Sequence, residues 1–326
     1  MIHTPVCDLL QIRHPIVLGG MAGGTSTPLV AAVSNAGGLG TLGMALTPPE
    51  RVSAEIAAIR EATLRSFAVN FLLFRAHDAA IDAALAASPP VFSAAWARPD
   101  QDLRSLFDRA HEARSVVMYM AGTATEALRA KAAGADVIAA QGTEGGGHVG
   151  WMATMALLPM IVDAVGSTPV LAAGGIADGR RLAAALALGA QGVLLGTRFL
   201  ATKESPLHHN FKQAIIDSDG HDTLLTEIPD VARGVVWPGA MSRVQRNAFV
   251  ERWAAREWEL RARQPEAAAA LERARAAGDV DNAVLFIGQD AGLIHDVPSA
   301  GELVERIAAE AERLLRDRLP TLVHVE

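Results

Sequence analysis

Residues 140–150 read AQGTEGGGHVG, five glycines in eleven positions with one imidazole, His148, among them. The run follows ADVIAA at 135–140, an apolar stretch suited to a buried strand. Glycine costs backbone entropy, so a cluster of it marks a turn or a place where something approaches the backbone closely. A histidine presented on such a loop is suited to proton transfer, because imidazole titrates near neutral pH. The plainer reading is a loop histidine that only bonds a carbonyl. His208 and His209 read as helix surface, and His14, His77, His111, His221 and His295 have no partner pattern. No H-E-x-x-H or similar ligand cluster occurs, so no metal is expected. No G-x-S-x-G elbow occurs either, which argues against a serine hydrolase of that type.

Other candidate residues fall at the ends of apolar runs. PIVLGGM ends in Gly19-Gly20-Met21, FAVNFL contains Asn70, and ADVIAA runs into Gln141. PVLAAGG ends in Gly174-Gly175, and GVLLGT ends in Gly196-Thr197. Two late strands ending in glycine suit a phosphate held by backbone N–H groups, helped by a following helix. Any one pair is explained as well by a turn; four glycine-bearing ends on one face favour a ligand.

The elements that position these residues repeat regularly. Strand-like runs lie near 16–19, 38–42, 67–72, 90–94, 115–120, 135–140, 169–174 and 192–197. Ala-rich amphipathic stretches separate them, for example 48–60, 123–133 and 178–188, the last introduced by Asp178 as a plausible N-cap. Strands alternating with helices imply parallel crossovers. An open doubly wound sheet would hold eight of them, but eight is also the number that closes a (β/α)₈ TIM barrel, and the barrel is the expected α/β fold. The run GGLGTLG puts Gly38, Gly40 and Gly43 at dinucleotide-fingerprint spacing. A helix-like segment precedes it instead of a strand, and Pro48-Pro49 delays the next helix, so that reading is set aside. After residue 216 the texture turns irregular, then charged and helical, before the apolar run 281–294 and a final amphipathic helix. The expected organisation is a barrel of residues 1–216 and 281–326, with a small, mainly helical second domain at 217–280 inserted before the last helix.

Composition narrows the function classes. The chain of 326 residues is 50% hydrophobic and 20% charged, with a net charge of −7 and no basic stripe, which argues against a nucleic-acid partner. The single cysteine, Cys7, forbids an intramolecular disulfide and fits a reducing, cytoplasmic setting. The N-terminus lacks a secretory pattern. LAAALALGAQGVLLGT at 182–197 is short for a membrane span and carries glycines where a helix–turn–strand would bend.

In this order PIVLGGM, AVNF, AQGTEGGGHVG, AAGGIADGR, GTRFLATKES and GQDAGLI resemble the nitronate monooxygenase family, over nearly the whole chain. The resemblance implies an FMN-dependent TIM barrel with a small helical second domain. It puts Gly20 and Met21 under the flavin ring, Asn70 near its polar edge, and Gln141, Gly146 and Gly147 in contact with it. Gly174, Gly175, Leu194, Leu195, Gly196 and Thr197 would hold the phosphate end, and His148 would be the catalytic histidine. The implied reaction takes an alkyl nitronate, or a nitroalkane, with O₂ to a carbonyl compound and nitrite. A homodimer is compatible with it. The same scaffold serves NAD(P)H-dependent enoyl-acyl-carrier-protein and quinone reductases, which stand as the alternative. A non-enzymatic flavin or phosphate-ligand binder, with His148 structural, is a third reading. Met120 stands where some relatives carry a polar flavin contact, which bears on the substrate more than on the cofactor.

Overall fold

The computed structural model describes residues 1–322. Eleven strands run through it: β1 Ile16–Leu18, β2 Gly40–Gly43, β3 Phe67–Leu72, β4 Val91–Ala95, β5 Val116–Ala121, β6 Val137–Gln141, β7 Gly147–Val149, β8 Val170–Ala173, β9 Gly192–Leu195, β10 Thr223–Thr226 and β11 Met241–Gln245. Eight of these form one parallel sheet in the order β1-β9-β8-β6-β5-β4-β3-β2. The sheet closes on itself through β1 and the residue before β2. Leu18 N–H donates to Leu39 O and Leu39 N–H to Ile16 O, both at 2.9 Å. The expected (β/α)₈ barrel is therefore the fold.

Strand alternation sorts the side chains into two layers. Val17, Leu39, Ala68, Val91, Met118, Val137, Ala139 and Leu171 fill the barrel interior. Helix Pro5–Leu10 contributes Val6, Cys7 and Leu10 to the same cluster. Alternate residues such as Ile16, Leu18, Phe67, Val69, Phe92 and Ile138 pack outward against the helices. Each large side chain so buried contributes about 1.5–3 kcal/mol. The helices begin where small polar side chains satisfy their first N–H groups. Thr123 accepts from Glu126 N–H and Asp178 from Arg181 N–H. Ser299 and Glu302 form a capping box at Ala300–Arg313. That helix packs between Gly179–Ala187 and Thr27–Asn35, completing the outer ring.

The fingerprint-like glycines prove to be packing positions. A Cβ on Gly40 would sit 2.1 Å from Val30 O, and one on Gly43 2.6 Å from the Met21 backbone. Residues 182–197 divide into helix, turn and β9, and no described helix is long and apolar enough to cross a membrane.

Between residues 217 and 280 lie helices Ile228–Arg233, Ala248–Trp253, Glu257–Ala262 and Gln264–Ala277, together with β10 and β11. They have their own core of Ile228, Val244, Phe249, Trp253, Leu260 and Leu271. β10, β11 and β7 form a separate antiparallel sheet. The loop after β6 is thus partly a strand: it leaves the barrel and pairs with the excursion, with His148 opposite Ser242.

Candidate functional site

The ends of the barrel strands converge as the sequence suggested. Alternation makes Asn70, Met120, Gln141 and Leu194 continue the inward rows begun by Ala68, Met118, Ala139 and the β9 backbone. Asn70 is buried and donates from Nδ2 to Ser93 Oγ at 2.9 Å. Gly20 lies against it, since a Cβ there would meet Asn70 Cβ at 2.3 Å. Met120, Gln141 and Leu194 are only partly buried, unlike the residues beneath them. The barrel therefore ends in a shallow floor at its C-terminal face, where barrels of this kind carry their sites.

The glycines assigned to a cofactor divide into two groups. Gly146 and Gly174 are required by the chain itself. A Cβ on Gly146 would strike the Ile287–Gly288 backbone at 2.5 Å, and one on Gly174 would strike Gly142 O at 2.7 Å. Gly147 and Gly196 face open space: nothing lies within 4 Å of a Cβ on Gly147, and only Met21 Sδ at 3.5 Å on Gly196. Gly175 has a φ of +70° with Glu144 Cβ at 3.1 Å. Thr197 Oγ1 accepts from Gly288 N–H at 2.9 Å, which ties the GQDAGLI segment to the end of β9. Leu195 is buried in the outer core and its carbonyl accepts from Gly19 N–H at 2.8 Å, so it offers a ligand neither its side chain nor that oxygen. A flat ring would fit over this floor, and the open faces of Gly147 and Gly196 leave backbone uncovered beside it.

His148 is held by residues far away in sequence. Its Nε2 lies 2.9 Å from Asp230 Oδ1, 82 residues on, and 2.9 Å from Ser242 Oγ. Ser242 Oγ in turn donates to Asp230 Oδ2 at 2.9 Å. With the hydroxyl proton given to the carboxylate, Nε2–H is the donor to Asp230, and Nδ1 keeps its lone pair. Nδ1 has no hydrogen-bond partner among the described residues. Both polar neighbours share one ring nitrogen, so the group is not a nucleophile–base–acid relay, which needs both nitrogens. Burial holds the imidazole below its ordinary pKa; Asp230 pulls it up, while the charges of Arg233 and Arg75 push it down. A neutral, oriented imidazole is a base.

Aromatic rings frame this base. Trp237 stacks on His148, and Phe74 and Trp96 meet Trp237 at 4.6 and 5.8 Å between centroids. Phe286 lies 5.8 Å from His148 on its own contact. Trp96 sits at φ 57°, a left-handed conformation that costs a bulky residue about 1–2 kcal/mol and is kept where the surroundings dictate it. Arg243, buried on β11, donates from Nε to Thr143 O at 2.8 Å and so fastens the start of the glycine loop. None of Asp230, Ser242, Trp237 or Arg243 stood out in the sequence. The only signal was Gly234 and Gly239 bracketing VVWP, as glycines bracket a loop that must turn sharply at both ends. Among the described residues no cluster of His, Cys, Asp or Glu could hold a metal.

A family model described as nitronate monooxygenase matches residues 3–89 and 76–310. The chain belongs to the nitronate monooxygenase family. With that membership it is an enzyme, an oxidoreductase, as the motifs implied. A Mycobacterium tuberculosis relative, (3aS,4S,5R,7aS)-5-hydroxy-7a-methyl-1-oxo-octahydro-1H-indene-4-carboxyl-CoA dehydrogenase, is 36% identical over 95% of this chain and 96% of its own. FabK from Thermotoga maritima superposes with a TM-score of 0.88 at 33% identity, over 99% of this chain and 100% of that one. Nitroalkane oxidase from Streptomyces ansochromogenes superposes with a TM-score of 0.80 at 31% identity, over 94% and 98%.

Proposed function

We propose that this chain is an FMN-dependent monooxygenase that converts alkyl nitronates, and the nitroalkanes they come from, to carbonyl compounds and nitrite with O₂. The observation that carries the reading is His148: neutral by burial, fixed at Nε2 by Asp230, and free at Nδ1. A nitroalkane is a carbon acid, and its oxidation begins with removal of the α-proton by such a base. The flavin, when bound, supplies the electron chemistry. The protein supplies the floor formed by Gly20, Asn70, Gln141 and Leu194, the uncovered backbone at Gly196, and a proton acceptor under an aromatic cover that keeps water away. FMN rather than a dinucleotide is favoured because the glycine-ended β8 and β9 suit one terminal phosphate. A cytoplasmic enzyme is in keeping with the lone, buried Cys7.

A second reading is oxidation or reduction beside an acyl thioester carbonyl, with or without a reduced nicotinamide. It is favoured by the named carboxyl-CoA dehydrogenase, which is similar over almost its whole length. The same base would act on the proton next to the thioester.

One experiment separates them. The purified flavoprotein is mixed anaerobically with propane-2-nitronate, NADH, NADPH and an acyl-CoA in turn, and flavin bleaching is followed. Bleaching by nitronate alone is expected. Rapid bleaching by a reduced nicotinamide, with none by nitronate, would move the protein to the second reading. Replacing His148 with Asn tests the role of the base: turnover of neutral 2-nitropropane is expected to fall roughly 10²–10⁴-fold, and that of the preformed nitronate less. Equal losses on both substrates would make His148 a binding group.

A further inference from the structure

Arg233 closes helix Ile228–Arg233 three residues after Asp230, a spacing that puts the two side chains on one helix face. Asp230 holds His148. Arg233 Cζ lies 5.7 Å from the Phe286 ring centroid, and the His148 ring lies 5.8 Å from the same ring. Both groups therefore border one aromatic side chain. Arg233 is partly buried, yet among the described residues its guanidinium makes no hydrogen bond and no ion pair. Arg75 follows Phe74 of the aromatic cluster and is likewise without an ion-pair partner there, and both charges act on His148. A guanidinium partly withdrawn from water with none of its N–H groups bonded costs stability, and the through-space attraction of Glu272 and Asp230 offsets that only in part. The guanidinium also disfavours protonation of the neighbouring base. Arg75 is exposed, but a chain that keeps Arg233 unbonded beside a base has a use for it once an anion is present.

We infer that Arg233, with Arg75 as its outer partner, forms an anion subsite beside His148 that takes the planar two-oxygen group of the substrate. The identity of that group, a nitronate or a nitro group becoming one, rests on the nitronate reading above. As His148 Nδ1 takes the α-proton, the C–H electron pair becomes the C=N π bond and the N=O π pair moves onto oxygen. The proton ends on the imidazole, the negative charge on the two oxygens, and no oxidant is consumed. The guanidinium fork matches two such oxygens side by side, as an ammonium does not. Arg233 thus stabilises the anion that His148 generates, with Phe286 packed beside the guanidinium.

The test uses isobutyrate, an unreactive carboxylate with the branching and planar head of propane-2-nitronate. It is titrated into the flavin-loaded wild type, Arg233→Gln, Arg233→Lys and Arg75→Met, following flavin absorbance and tryptophan fluorescence. Kd is expected to rise tenfold to roughly a hundredfold in Arg233→Gln, the usual worth of hydrogen bonds to a charged group. Arg233→Lys should recover part of the loss, and Arg75→Met should lose about threefold, as for an exposed charge. Isobutyramide, neutral and of the same shape, should bind all four alike. Unchanged isobutyrate affinity in an Arg233→Gln protein that melts like the wild type would overturn the subsite, as would a wild type that ignores isobutyrate. Should neither nitroalkane nor nitronate be turned over, the nitronate reading fails by itself, and isobutyrate still reports on the subsite.

Discussion

Trp237 lies flat on His148, with ring centroids 3.4 Å apart and planes 12° apart. The two rings come from different parts of the molecule, His148 from the strand that leaves the barrel and Trp237 from the turn before β11. The indole keeps water off one face of the imidazole, and burial is the largest influence on the His148 pKa, lowering it. Trp237→Ala is therefore expected to let the pKa rise toward its ordinary value. The base would then protonate at a higher pH, so the acid limb of the kcat/KM profile should move upward. An acid limb that stays in place would mean that other residues desolvate His148.

Asp230→Asn is expected to move the same limb the opposite way. The carboxylate raises the His148 pKa through its hydrogen bond and its charge, while Arg233 and Arg75 lower it. Without Asp230 only burial and the two arginines remain, and the pKa falls further. The plateau should also drop, by roughly 10²–10⁴-fold, because an amide no longer dictates which ring nitrogen carries the proton. A plateau near that of the wild type would reduce Asp230 to a structural contact of the excursion.

These two residues mark where the sequence stopped being legible. The eight barrel strands could be read because each is a short apolar run between Gly turns and Ala-rich helices, a local signal. Thr123 and Asp178 could be read as helix starts for the same reason. β7 could not: Gly147-His148-Val149 has little strand character of its own and is a strand because Met241–Arg243 lies across from it. Asp230 and Trp237 fall in the irregular stretch after residue 216, where no pattern singles them out. Their meaning comes from contacts with His148 over 82 residues and more, which no local pattern encodes. The floor residues Asn70 and Gln141 were legible because they sit at strand ends, where the barrel itself dictates their direction.

The phosphate arm can be tested at Gly196 with little risk to the fold. Its φ is −108°, which any residue can adopt, and a Cβ would meet only Met21 Sδ at 3.5 Å. Gly196→Val should fold and melt like the wild type while binding FMN at least tenfold more weakly, since the side chain would fill the space left over the backbone. Gly175→Val is the contrasting variant. At φ +70° it is strained whatever the ligand, so its melting temperature should fall too. Mass analysis of the released cofactor identifies it, and a Gly196→Val protein with unaltered FMN affinity would place the phosphate elsewhere.

Asp290 offers a prediction that needs no ligand. It follows Gly288-Gln289 in the segment tied to Thr197, is buried, and has its pKa raised from 3.8 to about 7 by that burial, against the pull of Arg181 and Arg198. Below pH 3.8 the folded and unfolded chains both hold the proton, and Asp290 contributes nothing to the pH dependence. Between there and about pH 7 the folded chain keeps a proton that the unfolded chain has lost, so stability falls as pH rises. Above about 7 the carboxylate is charged in both states, and the full desolvation cost, about 4 kcal/mol at most, is present. Asp290→Asn removes the ionisation and keeps the shape. It should leave stability near that of the wild type at about pH 4 and raise it clearly at pH 8, read from urea unfolding at the two pH values. An equal change at both would mean that packing, and not the charge, accounts for the difference.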